Sequence, residues 1–255
     1  MRGSVSPKRS QNGCDMLSPD EIEALAKRGQ TSPGNIAREY VQHIFLSCLY
    51  SLPDADKLFF KGGTALRVIY KSPRFSEDLD FTGASSFYRT KAVVESAARK
   101  VEQEIERLNL LESKETTGGY FGILGGSIGP LPVEVQIQVS FRQGLRYKPE
   151  PILVTPSTAV PYSVLTLPEN ILVQEKVEAL LTRGKPRDFF DLYFILRKPM
   201  GERKYLASKR PAILEKLKTI STKLLYQDLK AFLPRSQWVL AKQLPRLLIQ
   251  ELDRL

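Results

Sequence analysis

The chain has 255 residues, of which 26% are charged and 42% hydrophobic, and a net charge of +10. That length suits one generous domain or two small ones, and the composition is globular rather than fibrous or disordered. No run of about 18 apolar residues exists, which argues against a membrane-spanning helix, and the two cysteines, Cys14 and Cys48, form neither a disulfide framework nor a zinc pattern, which predicts a reducing, cytoplasmic setting.

The first residues, MRGSVSPKRSQNG, are polar and lack an apolar signal core, so residues 1–16 are expected to be a disordered lead-in. Ser18-Pro19-Asp20-Glu21 reads as a capped helix start, with Glu21 completing a capping box, and that helix should run to about Arg28. A second helix is expected near Pro33 to Tyr50, with apolar residues at Ile36, Tyr40, Ile44 and Leu49. It carries His43, the only histidine, which reads as a surface or packing residue.

Leu58 to Phe60 is a short apolar strand. Gly62-Gly63 breaks it, and Thr64 is placed to cap a helix from Ala65 to Tyr70, which Ser72-Pro73 ends. Asp78 to Thr82 returns as a strand. Thr90 to Leu110 carries apolar residues at helical spacing. Glycines 118, 119, 122, 125, 126 and 129 then punctuate short strands, more as hairpin turns than as a phosphate loop, because no phosphate-loop spacing is present. Val133 to Phe141 alternates, with Val133, Val135, Ile137 and Val139 on one face. A connecting segment with prolines at 149, 151, 156 and 161 follows to Leu167, and from Pro168 the chain reads as helical. The fold class is therefore α+β, divided into a sheet-and-helix core over residues 17–165 and a helical C-terminal module over 166–255.

Two features carry chemistry. Backbone N–H groups at a glycine turn, backed by a helix N-terminus, can meet phosphate oxygens where a Cβ would hold a phosphate away. Gly62 and Gly63 are such a pair, and Thr64 would add a hydroxyl donor. Asp78 and Asp80 then share one face of a strand, with Cα atoms roughly 6.5–7 Å apart. Two carboxylates so placed suit Mg²⁺, which takes one or two carboxylates plus substrate phosphates. Aspartate is poor in strands, so a pair of them needs a reason. Arg74, in the turn before Asp78, is placed to reach a phosphate or simply to pair with Glu77 or Asp78, and Ser76 to cap the turn or to orient Asp78. From Gly201 to Leu255 there are 12 Lys/Arg against 5 Asp/Glu, which places +7 of the +10 there. That suggests a polyanion partner; a solvated basic helix face would give the same count.

The order glycine-glycine-hydroxyl, helix, Asp-X-Asp resembles the active site of polymerase-β-like nucleotidyltransferases. The string KGGTALR…PRFSEDLDF resembles the AbiEii/AbiGii toxin family, the toxin half of type IV toxin–antitoxin and abortive-infection systems. A second string, QEKVEALLTRGKPRDFFDLYFI from Gln174 to Ile195, resembles that family's later lysine and Arg-Asp-X-X-Asp motifs. The resemblance spans about Ala37 to Leu196. It implies a polymerase-β-like mixed-sheet core, an NTP substrate and Mg²⁺ on Asp78 and Asp80. It implies catalytic roles for Asp78, Asp80, Lys176 and Asp188. Lys61, Gly62, Gly63, Thr64, Arg67, Arg74, Ser76, Arg183 and Asp191 would form the substrate-binding set. Gly184 and Pro186 would break the helix so that Asp188 can bend back towards Lys176. Asp191 has a second reading, in which it pairs with Arg187 or Arg183 and only holds helices together.

The implied reaction is nucleotidyl transfer to RNA, most simply the tRNA 3′ end, with an antitoxin as partner that need not bind the toxin. In one respect the sequence departs from the wider superfamily. The strand VEVQIQVSFR carries Gln138 where a third carboxylate would be expected, and Glu134 lies about 13 Å along the strand from it. A protein or small-molecule acceptor, a catalytically decayed RNA-binding module and a purely interacting protein are the alternatives.

Overall fold

The structure is a computed structural model that describes residues 16–141 and 147–255. The expected lead-in lies, apart from Met16, outside the described residues. Helix α1 (Pro19–Arg28) is capped by Ser18, whose hydroxyl accepts from the Glu21 N–H, while Glu21 accepts from the Ser18 N–H at 2.8 Å. Helix α2 (Pro33–Tyr50) starts at Ser32, which caps the Asn35 N–H. Both helices begin and end as expected, because their signals are local.

Seven strands form one mixed sheet: β1 (Leu58–Lys61), β2 (Asp78–Gly83), β3 (Leu108–Thr116), β4 (Gly119–Ile128), β5 (Leu131–Ser140), β6 (Glu150–Val154) and β7 (Tyr162–Thr166). Their order is β3-β4-β5-β2-β1-β7-β6. The β2–β5 and β1–β7 pairs are parallel and the others antiparallel. Helix α3 (Gly62–Val68) joins β1 to β2. Helices α2 and α4 (Phe87–Glu104) cover one face of the sheet, packing Val41, Phe45, Val94 and Ala97 onto Phe60, Leu79, Phe81, Val135 and Ile137. His43 is buried in this layer. Its Nδ1 lies 2.7 Å from the Tyr162 hydroxyl, and burial pushes its pKa down to about 4, so it packs as a neutral ring.

After the sheet come α5 (Glu169–Thr182), α6 (Pro186–Arg197), α7 (Arg203–Lys218), α8 (Thr222–Leu229) and α9 (Trp238–Leu252). Helix α6 packs against α5, α8 and α9. The helices grip the start of β2 directly, because the Phe75 N–H donates to the Phe232 carbonyl at 2.8 Å. No helix among the described residues is long and apolar enough to cross a membrane.

Four expectations are corrected. Lys61, not Thr64, is the N-cap of α3, so the glycines themselves form its first turn. Helix α4 is shorter than Thr90 to Leu110 suggested, and Leu108 opens β3, because Ile105 leaves the helix with an extended backbone. The glycine-rich stretch is one ten-residue strand flanked by turns, with Gly122, Gly125 and Gly126 inside it. The segment to Leu167 contains β6 and β7, and β7 is the parallel neighbour of β1.

Phe60 is fully buried, and its ring lies 5.6 Å from that of Phe81. Phe60→Ala should therefore cost about 3–5 kcal/mol of stability, read as a lowered urea midpoint with an unchanged slope.

Candidate active site

β2 places the two acids. Leu79 and Phe81 face the buried layer, which turns Asp78 and Asp80 to the opposite, open face. The register with β1 sets Lys61 beside Asp80, and the parallel register with β5 sets Gln136 beside Asp78 and Gln138 beside Asp80. The amide thus stands where the expected third carboxylate would be, and Glu134 lies beyond the start of β2. Among the described residues no group of three or more His, Cys, Asp or Glu side chains is placed to hold a metal ion.

Neither the Asp78 nor the Asp80 carboxylate accepts a hydrogen bond among the described residues. Burial, reinforced by Asp80 and Glu77, pushes Asp78 up to about 6. Burial also raises Asp80, against the pull of Lys176, Lys61, Arg183 and Arg74. Two adjacent carboxylates whose charged forms are under-stabilised fit a divalent cation, which would satisfy both.

The glycine pair is packed against this chemistry. Gly62 has φ +81°, and a Cβ there would overlap the Asp80 carboxylate. A Cβ on Gly63 would lie 2.5 Å from Arg74 Nη2 and 2.9 Å from Ser76 Oγ. The glycines therefore let the α3 N-terminus approach the acid pair and the arginine. Thr64 does not offer its hydroxyl outward as expected: it is buried, and its Oγ1 donates to the Asp78 carbonyl, tying α3 to β2.

A buried cationic network stands next to the acids. Arg74 donates from Nε and Nη2 to Asp191 Oδ1 and Oδ2 at 2.8 and 2.9 Å, and Lys176 Nζ donates to Asp191 Oδ2 at 2.8 Å. Asp191 is 1% exposed. Burial alone would raise it, but Arg74 and Lys176 outweigh burial and hold it down to about 2. Neither partner expected for Asp191, Arg183 or Arg187, is the one it takes.

Asp188 departs from its expected place. It makes no hydrogen bond or ion pair with Lys176 among the described residues. Both its oxygens accept from Arg183, at 2.9 and 2.7 Å, and Oδ2 also accepts from the Lys185 N–H at 3.0 Å. It closes the break between α5 and α6, where Gly184 takes φ +57°. Arg67 is also committed elsewhere. It pairs with Glu39, donates to the carbonyls of Ser72 and Pro73 at 3.0 and 3.1 Å, and lies 3.5 Å over the Phe75 ring. Lys61 is held by Glu175 at 2.9 Å, and Arg187 by Glu77 at 3.0 Å. The structure thus gathers Lys61, Gly62, Gly63, Arg74, Ser76, Asp78, Asp80, Lys176 and Asp191, and it leaves Arg67 and the Thr64 hydroxyl to structural tasks.

Removing Arg74 would strand a buried carboxylate. Arg74→Met should cost about 3–5 kcal/mol in urea unfolding at pH 7. Asp191 has a folded pKa below the ordinary aspartate value, so its contribution is present above about pH 4 and is lost as pH falls from about 4 to about 2. Wild type should lose about 2–3 kcal/mol from this group across that window, and Arg74→Met visibly less, when urea midpoints are compared at each pH.

No curated protein matches the chain. Among solved structures, a candidate nucleotidyltransferase from H. pylori superposes with a TM-score of 0.55 at 17% identity, covering 88% of this chain and 98% of its own. JHP933 from Helicobacter pylori gives 0.52 at 18%, covering 88% and 95%. MenT4, a nucleotidyltransferase toxin from Mycobacterium tuberculosis H37Rv, gives 0.51 at 16%, covering 94% and 90%. At these identities the likeness is one of fold. The sequence itself matches a family model, that of the nucleotidyl transferase AbiEii toxin of type IV toxin–antitoxin systems, over residues 44–251. Since that match takes in the sheet, the acid pair and the helices behind it, the chain belongs to the AbiEii nucleotidyltransferase toxin family.

Proposed function

We propose that this enzyme transfers a nucleotide from an Mg²⁺-bound NTP to an RNA hydroxyl, most simply at the tRNA 3′ end, in the cytoplasm and under the control of a cognate antitoxin. The observation that carries the reading is the Asp78–Asp80 pair, whose carboxylates accept no hydrogen bond among the described residues, facing the Gly62-Gly63 turn and bordered by Lys176.

Asp78 and Asp80 would hold the metal, which when bound neutralises phosphate charge and favours ionisation of the attacking hydroxyl. The N–H groups of the first turn of α3 meet phosphate oxygens. Lys176 has three donors and gives one to Asp191, which leaves two for the triphosphate. Arg74 and Asp191 position Lys176, and Ser76 sits at the same turn. Arg183, half-exposed beyond Asp188, contributes its charge. In the reaction, the hydroxyl oxygen forms a bond to the α-phosphorus. The α–β bridging P–O bond breaks, and pyrophosphate leaves with that electron pair. The hydroxyl proton passes to the acid pair or to water, because Asp188 and Asp191 are both saturated by cations.

An RNA acceptor is supported by charge. Lys223, Lys230, Arg235, Lys242 and Arg246 are exposed along α8, α9 and the turn between them, and they form no ion pair among the described residues. Contacts of such cations with phosphates make binding fall steeply with salt.

With α-labelled NTPs, Mg²⁺ and total tRNA, wild type should label tRNA, and Asp80→Ala should lose more than about a hundredfold in rate. Lys176→Met should lose a comparable factor. Asp188→Asn, if folded by its melting temperature, should retain transfer. Label on protein but not on RNA would move the acceptor to a protein hydroxyl. Replacing Lys223, Lys242 and Arg246 by Gln should lower the slope of log affinity against log salt by roughly 0.7–0.9 for each phosphate that the variant no longer neutralises.

A further inference from the structure

The register of the sheet lines up five residues across five strands. Lys114 on β3 pairs with Phe121 on β4, Phe121 with Gln138 on β5, Gln138 with Asp80 on β2, and Asp80 with Lys61 on β1. Residues paired in this way project to the same face of a sheet. The open face therefore carries a row of cation, aromatic ring, amide, carboxylate and cation. A cavity of about 310 Å³ lies on this row, and Lys61, Asp80, Phe121 and Gln138 all line it. The β3–β4 turn, at Thr116 to Gly119, closes one side. The volume is at the lower end of the roughly 300–1,000 Å³ of small-molecule sites.

Gln138 is exposed, and its side chain makes no hydrogen bond among the described residues. Its amide offers two donors and an acceptor. Phe121 is half-buried, with Lys114 lying 5.2 Å from its ring centroid.

We propose that this row seats the donor nucleotide lengthwise, with its base between Phe121 and Gln138, and that Gln138 selects among bases. The inference rests on the NTP-dependent reaction proposed above. An α-phosphate at Asp80 places the base one ribose away, and one to two strand spacings along the row, about 5–10 Å, cover that reach. In the other direction, Lys61 lies one strand beyond Asp80, on the side of the β- and γ-phosphates. Phe121 gives any base a π-face, which binds without selecting. The Gln138 amide can pair a donor and an acceptor with one base edge at once, which selects. Glutamine at this place thus exchanges a third acid for a reader of the base.

The test is kcat/KM for each of the four NTPs, at fixed Mg²⁺ and RNA, for wild type, Gln138→Ala and Phe121→Ala. Melting temperatures confirm that each variant is folded. The expected result is a wild-type preference that Gln138→Ala erodes by about tenfold or more, mainly through the preferred NTP. Phe121→Ala should raise KM for all four by similar factors. An unchanged NTP ratio in Gln138→Ala overturns the proposal, as does a wild type that uses all four NTPs equally. A parallel series with RNAs differing only in the 3′-terminal base separates donor from acceptor: a Gln138→Ala effect confined to that series would assign the seat to the acceptor and overturn the donor assignment. A wild type that transfers nothing, and whose melting temperature no NTP raises, sinks the underlying reaction and the donor seat with it; intact transfer with an unmoved ratio sinks the seat alone.

Discussion

The contact of Asp191 with Arg74 and Lys176 joins positions 117 and 15 residues apart and is made almost out of water. Three charged groups in such a place are tolerable only if the geometry is good, and here the guanidinium is bidentate and the ammonium shares an oxygen with it. The network carries one net positive charge to the edge of the acid pair. It also fixes the turn before β2 against α6, so the same contact sets both the position and the potential of the site. Gly63 must lack a side chain because Arg74 occupies that space, and Asp80 is less strongly raised than its burial demands because these cations stand near it.

Around that network the chain opposes polar strain with apolar packing. Two aspartates weaken a strand, but Leu79 and Phe81 alternate with them and are buried between α2, α4 and the neighbouring strands. The Thr64 hydroxyl, bound to the Asp78 carbonyl, adds a local tie from α3. The acids are therefore presented by a strand near the middle of the sheet, held on both sides by paired neighbours.

Much of this was legible in the sequence where the cause is local. The Ser18 and Ser32 caps, the alternation of β2 and β5, and the Gly184-Pro186 break all act within a few residues. The family resemblance points to Gln138 as the neighbour of the acids, and the parallel register sets it beside Asp80. What failed depended on distant partners. Leu108 reads as the end of a helical stripe until β4 is there to pair with it. The strands β6 and β7 hide among prolines, and β7 becomes a strand because β1 lies alongside. Thr64 and Arg67 look free in sequence, and only the carbonyl of Asp78 and the carboxylate of Glu39 show their tasks. Asp188 and Asp191 sit three apart on one helix, so sequence could not say which faced Lys176. Nothing in the sequence singles out Phe121, because its meaning lies in its register with Gln138.

The parallel pairing of β2 with β5 makes the acid pair depend on segments far along the chain. A strand that slips by one residue reverses its faces, which would bury both aspartates and expose Leu79 and Phe81. The register that prevents this is held by β1, just upstream, and by β5, more than fifty residues downstream of the acids, and the ammonium and carboxylate of the neighbouring network come from α5 and α6, later still. A chain emerging from the ribosome thus carries its acid motif before the strands and helices that surround it. Lys176 and Asp191 join Arg74 only when α5 and α6 are present and docked, so a chain that stops before α5 leaves the Arg74 guanidinium without its carboxylate partner.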